Sequence, residues 1–279
     1  MDELHAGITL PKLTGTSANL NKIVKYFQCP VFYKRELALW KENPEYKGTS
    51  LHVFLYYNRL TYLGKKPNEL SDVEILRGLS IAGVLRGYTV FNTKIMTKVL
   101  KKYDVKSMYD PCAGWGERML CCFYNNVSYY GVDVNEALRA GYTNMMKYFA
   151  MNHDEYQLRI GDSAVMDVCD VDADVVFTCP PYHNIEVYSD GGVENKSYSE
   201  FLVWWQGVVQ NSLSVNPEYF VFQINQKYKT DMQNVVLESG FDFVEEIVPD
   251  KVASSHFTRD KGCNRKKEYE SVVVCKRSV

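Results

Sequence analysis

From Val105 to Lys276 the chain repeats one phrase: a short run of apolar, β-branched and aromatic residues, a turn, then a helical stretch. The predicted strands are Val105–Asp110, Ser128–Val134, Tyr156–Ile160, Val175–Cys179 and Tyr219–Asn225. Helices are predicted at Glu117–Tyr124, Asn135–Met151, Ser199–Ser214 and Thr230–Ser239. Alternation of this kind dictates a mostly parallel sheet covered by helices on both faces, because a parallel pair needs a long crossover. Phe241–Val248 and Ser271–Lys276 follow one another with no helix between them, so they are expected to pair antiparallel at one edge. Sheets of this class hold ligands outside the carboxyl ends of their strands, where strand order reverses.

The first 88 residues read differently. Residues 1–20 show little periodicity and are expected to form a loosely held arm. Aromatic and basic residues interleave from Leu20 to Trp40, and Pro30 divides that stretch into two short helices. Further helices are predicted over Leu51–Leu63 and over Asn68–Leu85, the latter with Ser71 and Glu74 in a capping-box pattern. A last helix, capped by Asn92 or Thr93, runs to Lys102. The division is therefore a helical, basic N-terminal region, residues 1–88, and an α/β domain, residues 89–279.

Charge separates the two in the same way. Residues 20–106 hold sixteen Lys/Arg against seven Asp/Glu, a balance of +9, whereas residues 107–200 hold five against fifteen. The basic segment suits contact with a polyanion, and a solvated lysine-rich surface accounts for it equally well. With 46% hydrophobic and 14% aromatic residues the chain can bury a large core, which excludes a disordered protein. No apolar run approaches the roughly 20 residues of a membrane helix, and Met1-Asp2-Glu3 does not begin a signal peptide. Eight cysteines without regular spacing read as reduced thiols of the cytoplasm, a host's cytoplasm if the chain is viral. No zinc pattern is present, so no metal is expected.

Two stretches carry chemistry. Asp174-Val175-Val176-Phe177-Thr178 reads as a buried strand with a carboxylate only at its mouth, and Cys179-Pro180-Pro181-Tyr182 stops it. Two prolines make a stiff loop whose carbonyls can only accept hydrogen bonds. Tyr182 is expected to be displayed at the sheet's rim. Rigid carbonyls beside an aromatic plate can grip a flat ring and accept from an amino group on its edge, which is what methylation of a nucleobase amine requires. On these nine residues alone, a Pro-Pro turn with a packing tyrosine is an equal alternative.

The second stretch is Asp110-Pro111-Cys112-Ala113-Gly114-Trp115-Gly116-Glu117-Arg118, at the end of the first strand. Gly114 and Gly116 permit a sharp turn and close approach to a ligand, and the helix that follows presents free N–H groups. Asp133, at the end of the next strand, is placed to take both hydroxyls of a ribose. Met119 stands where a dinucleotide fingerprint has its third glycine. A carboxylate at Asp110 also suits the cationic sulfonium and ammonium of S-adenosylmethionine (SAM) better than a pyrophosphate. Asp162, at the third strand's end, can accept from an adenine amino group.

DPCAGWGER, YGVDVN, GDSA and CPPY, in this order and spacing, resemble the SAM-dependent class I methyltransferases with their Rossmann-like sheet. More narrowly they resemble the amino-methyltransferases of adenine or cytosine in DNA, phage-type members among them. The resemblance covers roughly residues 89–279. It implies that Phe91, Asp110 and Gly114, with Cys112 and Gly116 in the same loop, hold the methionine part of SAM. It implies further that Asp133 holds the ribose, Asp162 the adenine, and Cys179, Pro180, Pro181 and Tyr182 form the catalytic loop.

The family's loop opens with Asp, Asn or Ser, and here Cys179 stands there, a weak acceptor. Its size and the preceding Thr178 lean toward cytosine, with adenine still open. A nucleophilic Cys179 attacking a pyrimidine ring is the alternative chemistry. His183-Asn184 and the loop to Ser197 are expected to form a mobile wall over the target base. Trp204-Trp205 are read as packing residues. Lys34, Arg35, Arg259, Lys261, Arg265, Lys266 and Lys267 are the candidate phosphate contacts, with DNA the expected partner and RNA the alternative. An RNA-base or protein-amide methyltransferase, or a nucleic-acid-binding relative that has lost turnover, are the competing readings.

Overall fold

A computed structural model describes residues 12–21, 23–24, 27–28, 91, 93–183, 192–193, 196–248 and 270–278. The described elements from residue 93 onward are α1 (Thr93–Lys102), β1 (Ser107–Asp110), α2 (Glu117–Tyr124), β2 (Ser128–Asp133), α3 (Leu138–Tyr148) and β3 (Tyr156–Ile160). They continue with β4 (Val175–Thr178), α4 (Tyr198–Ser212), β5 (Tyr219–Asn225), α5 (Lys229–Glu238), β6 (Phe241–Ile247) and β7 (Glu270–Arg277). The strands form one seven-stranded sheet in the order β3-β2-β1-β4-β5-β7-β6. The first five of that order run parallel, and β7 is antiparallel to both β5 and β6. This is the mostly parallel α/β sheet expected from the alternation.

The place of β7 follows from its side chains. Ser271 through Cys275 are buried without a break, which only a strand paired on both sides can sustain. In β6, Asp242 to Val244 face solvent and the register slips between Phe243 and Glu245, as befits an edge. Alternate residues of the central strands divide the core in two. Met108, Val175, Phe177 and Val221 pack with α1, α2 and α3 on one face. Tyr109, Val176, Phe220 and Phe222 pack with α4 and α5 on the other.

Residues 17–21 are helical, and Leu20, Ile23 and Val24 lie fully within the first of these cores. Of the arm expected over residues 1–20, Leu20 is buried in this core and Leu13 packs against it, while Lys12, Thr14, Thr16 and Ala18 are exposed. The helices predicted over Leu51–Leu63 and Asn68–Leu85 and the division at Pro30 lie outside the described residues. Among the described residues no helix is long and apolar enough to cross a membrane.

Asp174 sets the geometry that the site depends on. Its Oδ2 accepts from the backbone N–H groups of Lys106 (2.6 Å) and Ser107 (3.0 Å), and its own N–H donates to the Ser107 hydroxyl at 3.0 Å. The starts of β1 and β4 are thus pinned together. Their carboxyl ends, with the loops at residues 111–116 and 179–182, emerge side by side at the point where strand order reverses.

Candidate active site

The loop after β1 is built by two left-handed glycines. Gly114 has φ +60° and Gly116 φ +105°, conformations that an L side chain adopts with strain. A Cβ on Gly116 would also stand 2.6 Å from Cε of Met145, so this glycine lets α3 close on the loop. At Gly114 a Cβ would make only ordinary contacts, with Arg118 Nη2 at 3.6 Å and the Cys112 carbonyl at 3.9 Å. The Tyr142 hydroxyl donates to the carbonyls of Ala113 and Gly114, and the Gln28 amide donates to that of Trp115, so core and N-terminal segment both hold the loop.

Asp133 ends β2 and is half-buried. Its Oδ2 accepts from the Gly114 N–H at 2.8 Å and its Oδ1 from the Asn135 N–H at 2.9 Å. Burial pushes its carboxyl up, while those two N–H groups pull it down. The expected pairing of the glycine loop with the acid at the next strand end is present.

Asp110 is placed otherwise than expected. It is 0% exposed, and both of its oxygens are engaged inside the protein. Oδ1 accepts from the Cys112 N–H (3.2 Å), and Oδ2 from Arg118 Nε (2.6 Å) and the Tyr129 hydroxyl (3.0 Å). A carboxylate closed in this way does not face a ligand's cation. The reason is α2: eight residues after Asp110, its second residue swings a guanidinium back under the strand end, where burial makes pairing mandatory. Burial pulls the Arg118 guanidinium down, but Asp110 and Glu117 outweigh it and hold it well above the ordinary arginine range. Arg118 also donates to the Cys112 carbonyl and lies 5.5 Å from the Phe91 ring, which meets Phe177 edge-on. Burial pushes the Cys112 thiol well up, with Asp110 and Asp133 adding to it, so Cys112 stays a neutral thiol.

Glu117, which the sequence reading did not single out, is a second buried acid in the same corner. It is 3% exposed, with Oε1 3.8 Å from Arg118 Nη1 and no hydrogen-bond partner for Oε2. An acid at the first position of a helix reads in sequence as a partner for the helix dipole, so nothing marked it for a site.

At the end of β4, Pro180 is buried and Cys179 and Pro181 are half-buried. Tyr182 is not at the rim. It is 5% exposed, belongs to the core under α4 and α5, and its hydroxyl lies 3.8 Å from Cys179 Sγ. Once Pro180 turns inward, the ring gains more from burial than it would at the surface.

The aromatic wall comes from elsewhere. A cavity of about 260 Å³ opens beside the loop, lined by His183, Tyr198, Lys227, Tyr228 and Asp231. The Tyr228 hydroxyl donates to the His183 carbonyl (2.6 Å), and Tyr198 donates to Asp231 Oδ2 (2.6 Å). His183 Nε2 meets the Lys196 carbonyl at 2.7 Å; a carbonyl only accepts, so the proton sits on Nε2. Lys227 Nζ stands 4.9 Å from the Tyr228 ring. His183 lines this cavity, while residues 184–191 and 194–195 of the wall expected up to Ser197 lie outside the described residues.

Asp162 is exposed, and its Oδ1 accepts from the Ala164 N–H and from Trp204 Nε1, each at 3.0 Å. Trp205 is the packing residue expected, fully buried with Nε1 on the Met232 carbonyl, but Trp204 is tied to the acid assigned to adenine. The phosphate contacts expected at Lys34, Arg35, Arg259, Lys261, Arg265, Lys266 and Lys267 lie outside the described residues.

A family model described as N-6 DNA Methylase matches residues 90–246. No curated protein matches the chain. Among solved structures, the chain is similar to TrmN from Thermus thermophilus at 11% identity and a TM-score of 0.49, over 67% of this chain and 49% of that one. It thus spans about half the length of TrmN. It is also similar to an S-adenosylmethionine-dependent methyltransferase from Clostridium acetobutylicum ATCC 824, at 9% identity and a TM-score of 0.48, over 73% and 99% of the two chains. A third is magnesium protoporphyrin IX methyltransferase (ChlM) from Synechocystis PCC 6803 with bound SAM, at 11% identity and a TM-score of 0.45, over 67% and 78%.

Proposed function

The chain belongs to the N-6 DNA methylase family, and from that premise we propose that it methylates the exocyclic amine of a nucleobase in DNA, N6 of adenine first. The family's description favours adenine over the cytosine toward which Thr178 and Cys179 lean. The single observation carrying the reading is that the pinned β1 and β4 bring the glycine loop and the Cys179–Tyr182 loop to adjacent strand ends.

S-adenosylmethionine is the family's methyl donor, and the residues fit it. Asp133 holds a half-buried carboxylate beside the glycine loop, and Asp162 presents a steadied acceptor at the next strand end. Asp133 would take the ribose hydroxyls and Asp162 the adenine amino group. When bound, the cofactor supplies an electrophilic methyl carbon on a sulfonium.

The protein's part is to bind and align the target amine. The Pro180 carbonyl, fixed by two prolines, accepts from the amine N–H. That draws the nitrogen lone pair out of conjugation with the ring and points it along one line. The cavity between His183, Tyr198 and Tyr228 offers aromatic faces for a base taken out of its stack. Tyr182, buried behind the loop, supports Cys179 rather than stacking on the base. Lys34, Arg35, Arg259, Arg265, Lys266 and Lys267 are the candidates for phosphates.

Incubation with labelled SAM and duplex DNA, RNA or protein, followed by nucleoside analysis, tests the reading. The expected product is N6-methyladenine in DNA. Label in RNA or protein only, or DNA binding with no transfer at all, overturns it.

A further inference from the structure

We propose that Glu117 is the residue that receives the ammonium group of the amino-acid part of S-adenosylmethionine. The proposal rests on the reading of residues 110–116 as the cofactor loop. Asp110, the acid placed by sequence to do this, is closed: its oxygens are taken by the Cys112 N–H, Arg118 and Tyr129, and it has no exposed surface. Glu117 is one residue beyond the same loop and is left incomplete. Among the described residues, its Oε2 is the one buried carboxylate oxygen without a hydrogen-bond partner.

The charges of the corner agree. Two buried carboxylates, Asp110 and Glu117, face one buried guanidinium, and Arg118 gives Asp110 the short contact (2.6 Å) and Glu117 the long one (3.8 Å). One positive charge is missing. Orphaned buried acceptors are rare and call for an explanation, and a ligand cation that donates several N–H bonds supplies it. The position also suits the ligand's far end. Phe91, which the family resemblance places at the methionine part, directs its backbone N–H to the Glu117 carboxyl and its ring to Arg118. Burial raises Glu117 against the opposing pull of Arg118, so the empty corner favours the neutral acid and an arriving ammonium favours the carboxylate.

Calorimetry separates this from a purely structural role. The ligands are S-adenosylhomocysteine, its analogue with hydrogen in place of the amino group, and methylthioadenosine, which lacks the amino-acid part. The expected result is that Glu117→Gln weakens S-adenosylhomocysteine by about tenfold or more. The other two ligands should bind variant and wild type alike, which also shows that the variant is folded. Equal weakening of all three, or of none, overturns the proposal. If the wild type binds none of the three, the cofactor loop has been misread, and the proposal falls with it. If it binds all three equally, the amino group is not recognised, and the proposal fails while the cofactor reading stands.

Discussion

The two loops that meet at the carboxyl ends of β1 and β4 are made in opposite ways. The β1 side is a buried polar corner in which Asp110, Arg118 and Tyr129 answer one another's charge and Glu117 is left incomplete. The β4 side is aromatic and open, with Tyr198, Tyr228 and His183 around a cavity and Tyr182 buried behind them. A cationic amino acid needs electrostatic preorganisation, and a flat uncharged ring needs faces. On the proposed reading, the polar side would take the cofactor's amino-acid part and the aromatic side the base.

The largest effect expected is at the polar corner. Arg118→Ala leaves the buried Asp110 carboxylate uncompensated and should cost about 3–5 kcal/mol in denaturant unfolding. A cost under about 1 kcal/mol would mean that the corner admits water and is not the closed half of the contrast. Next comes Asp133→Ala, which should weaken S-adenosylhomocysteine by about 1–3 kcal/mol, the range for losing a buried hydrogen-bond partner. Calorimetry showing unchanged affinity would move the ribose elsewhere.

Glu117→Gln should raise the stability of the unliganded protein by about 1 kcal/mol at neutral pH. Burial raises the folded-state pKa of Glu117 and so disfavours its ionised form. The stability of the neutral acid is therefore complete below the ordinary glutamate range and is lost as pH climbs through it. Gln keeps that stability at all pH, so the gain should vanish near pH 4 and grow above it. Destabilisation at neutral pH would make Glu117 a structural partner of Arg118.

On the aromatic side, Tyr228→Phe removes a bond to the His183 carbonyl and should cost about 0.5–1.5 kcal/mol in thermal unfolding. No change would detach His183 from the cavity wall. The smallest effect is expected of Cys179→Ser, whose oxygen accepts better than sulfur; single-turnover rates should hold or rise within a few-fold. Near-complete loss, with a trapped covalent adduct on a pyrimidine analogue, would make the β4 side a nucleophile's site instead.

Much of the fold was legible from local pattern. Glu117–Tyr124, Tyr156–Ile160 and Tyr219–Asn225 begin and end where periodicity and turn residues place them. The antiparallel pairing of the last two strands at one edge was legible too, and Val272–Cys275, buried throughout, belongs to the inner of the two. Its insertion between β5 and β6 is settled only by pairing. At the site, Gly114 with Asp133 could be read from spacing, because a loop and the next strand end are neighbours in any parallel sheet.

What sequence alone determined is the chemistry available: a glycine loop, acids at three successive strand ends, and a Pro-Pro loop with acceptor carbonyls. Tertiary structure decided which of those groups face a ligand. Asp110 and Glu117 flank one loop in the sequence, and Arg118 reaches the first at 2.6 Å and the second at 3.8 Å. Tyr182 was expected at the rim, yet it lies in the core, and it is Tyr198 that lines the cavity. Trp204 meets Asp162 across 42 residues of chain. These choices depend on desolvation, which is a property of everything packed around a side chain and not of its neighbours in sequence.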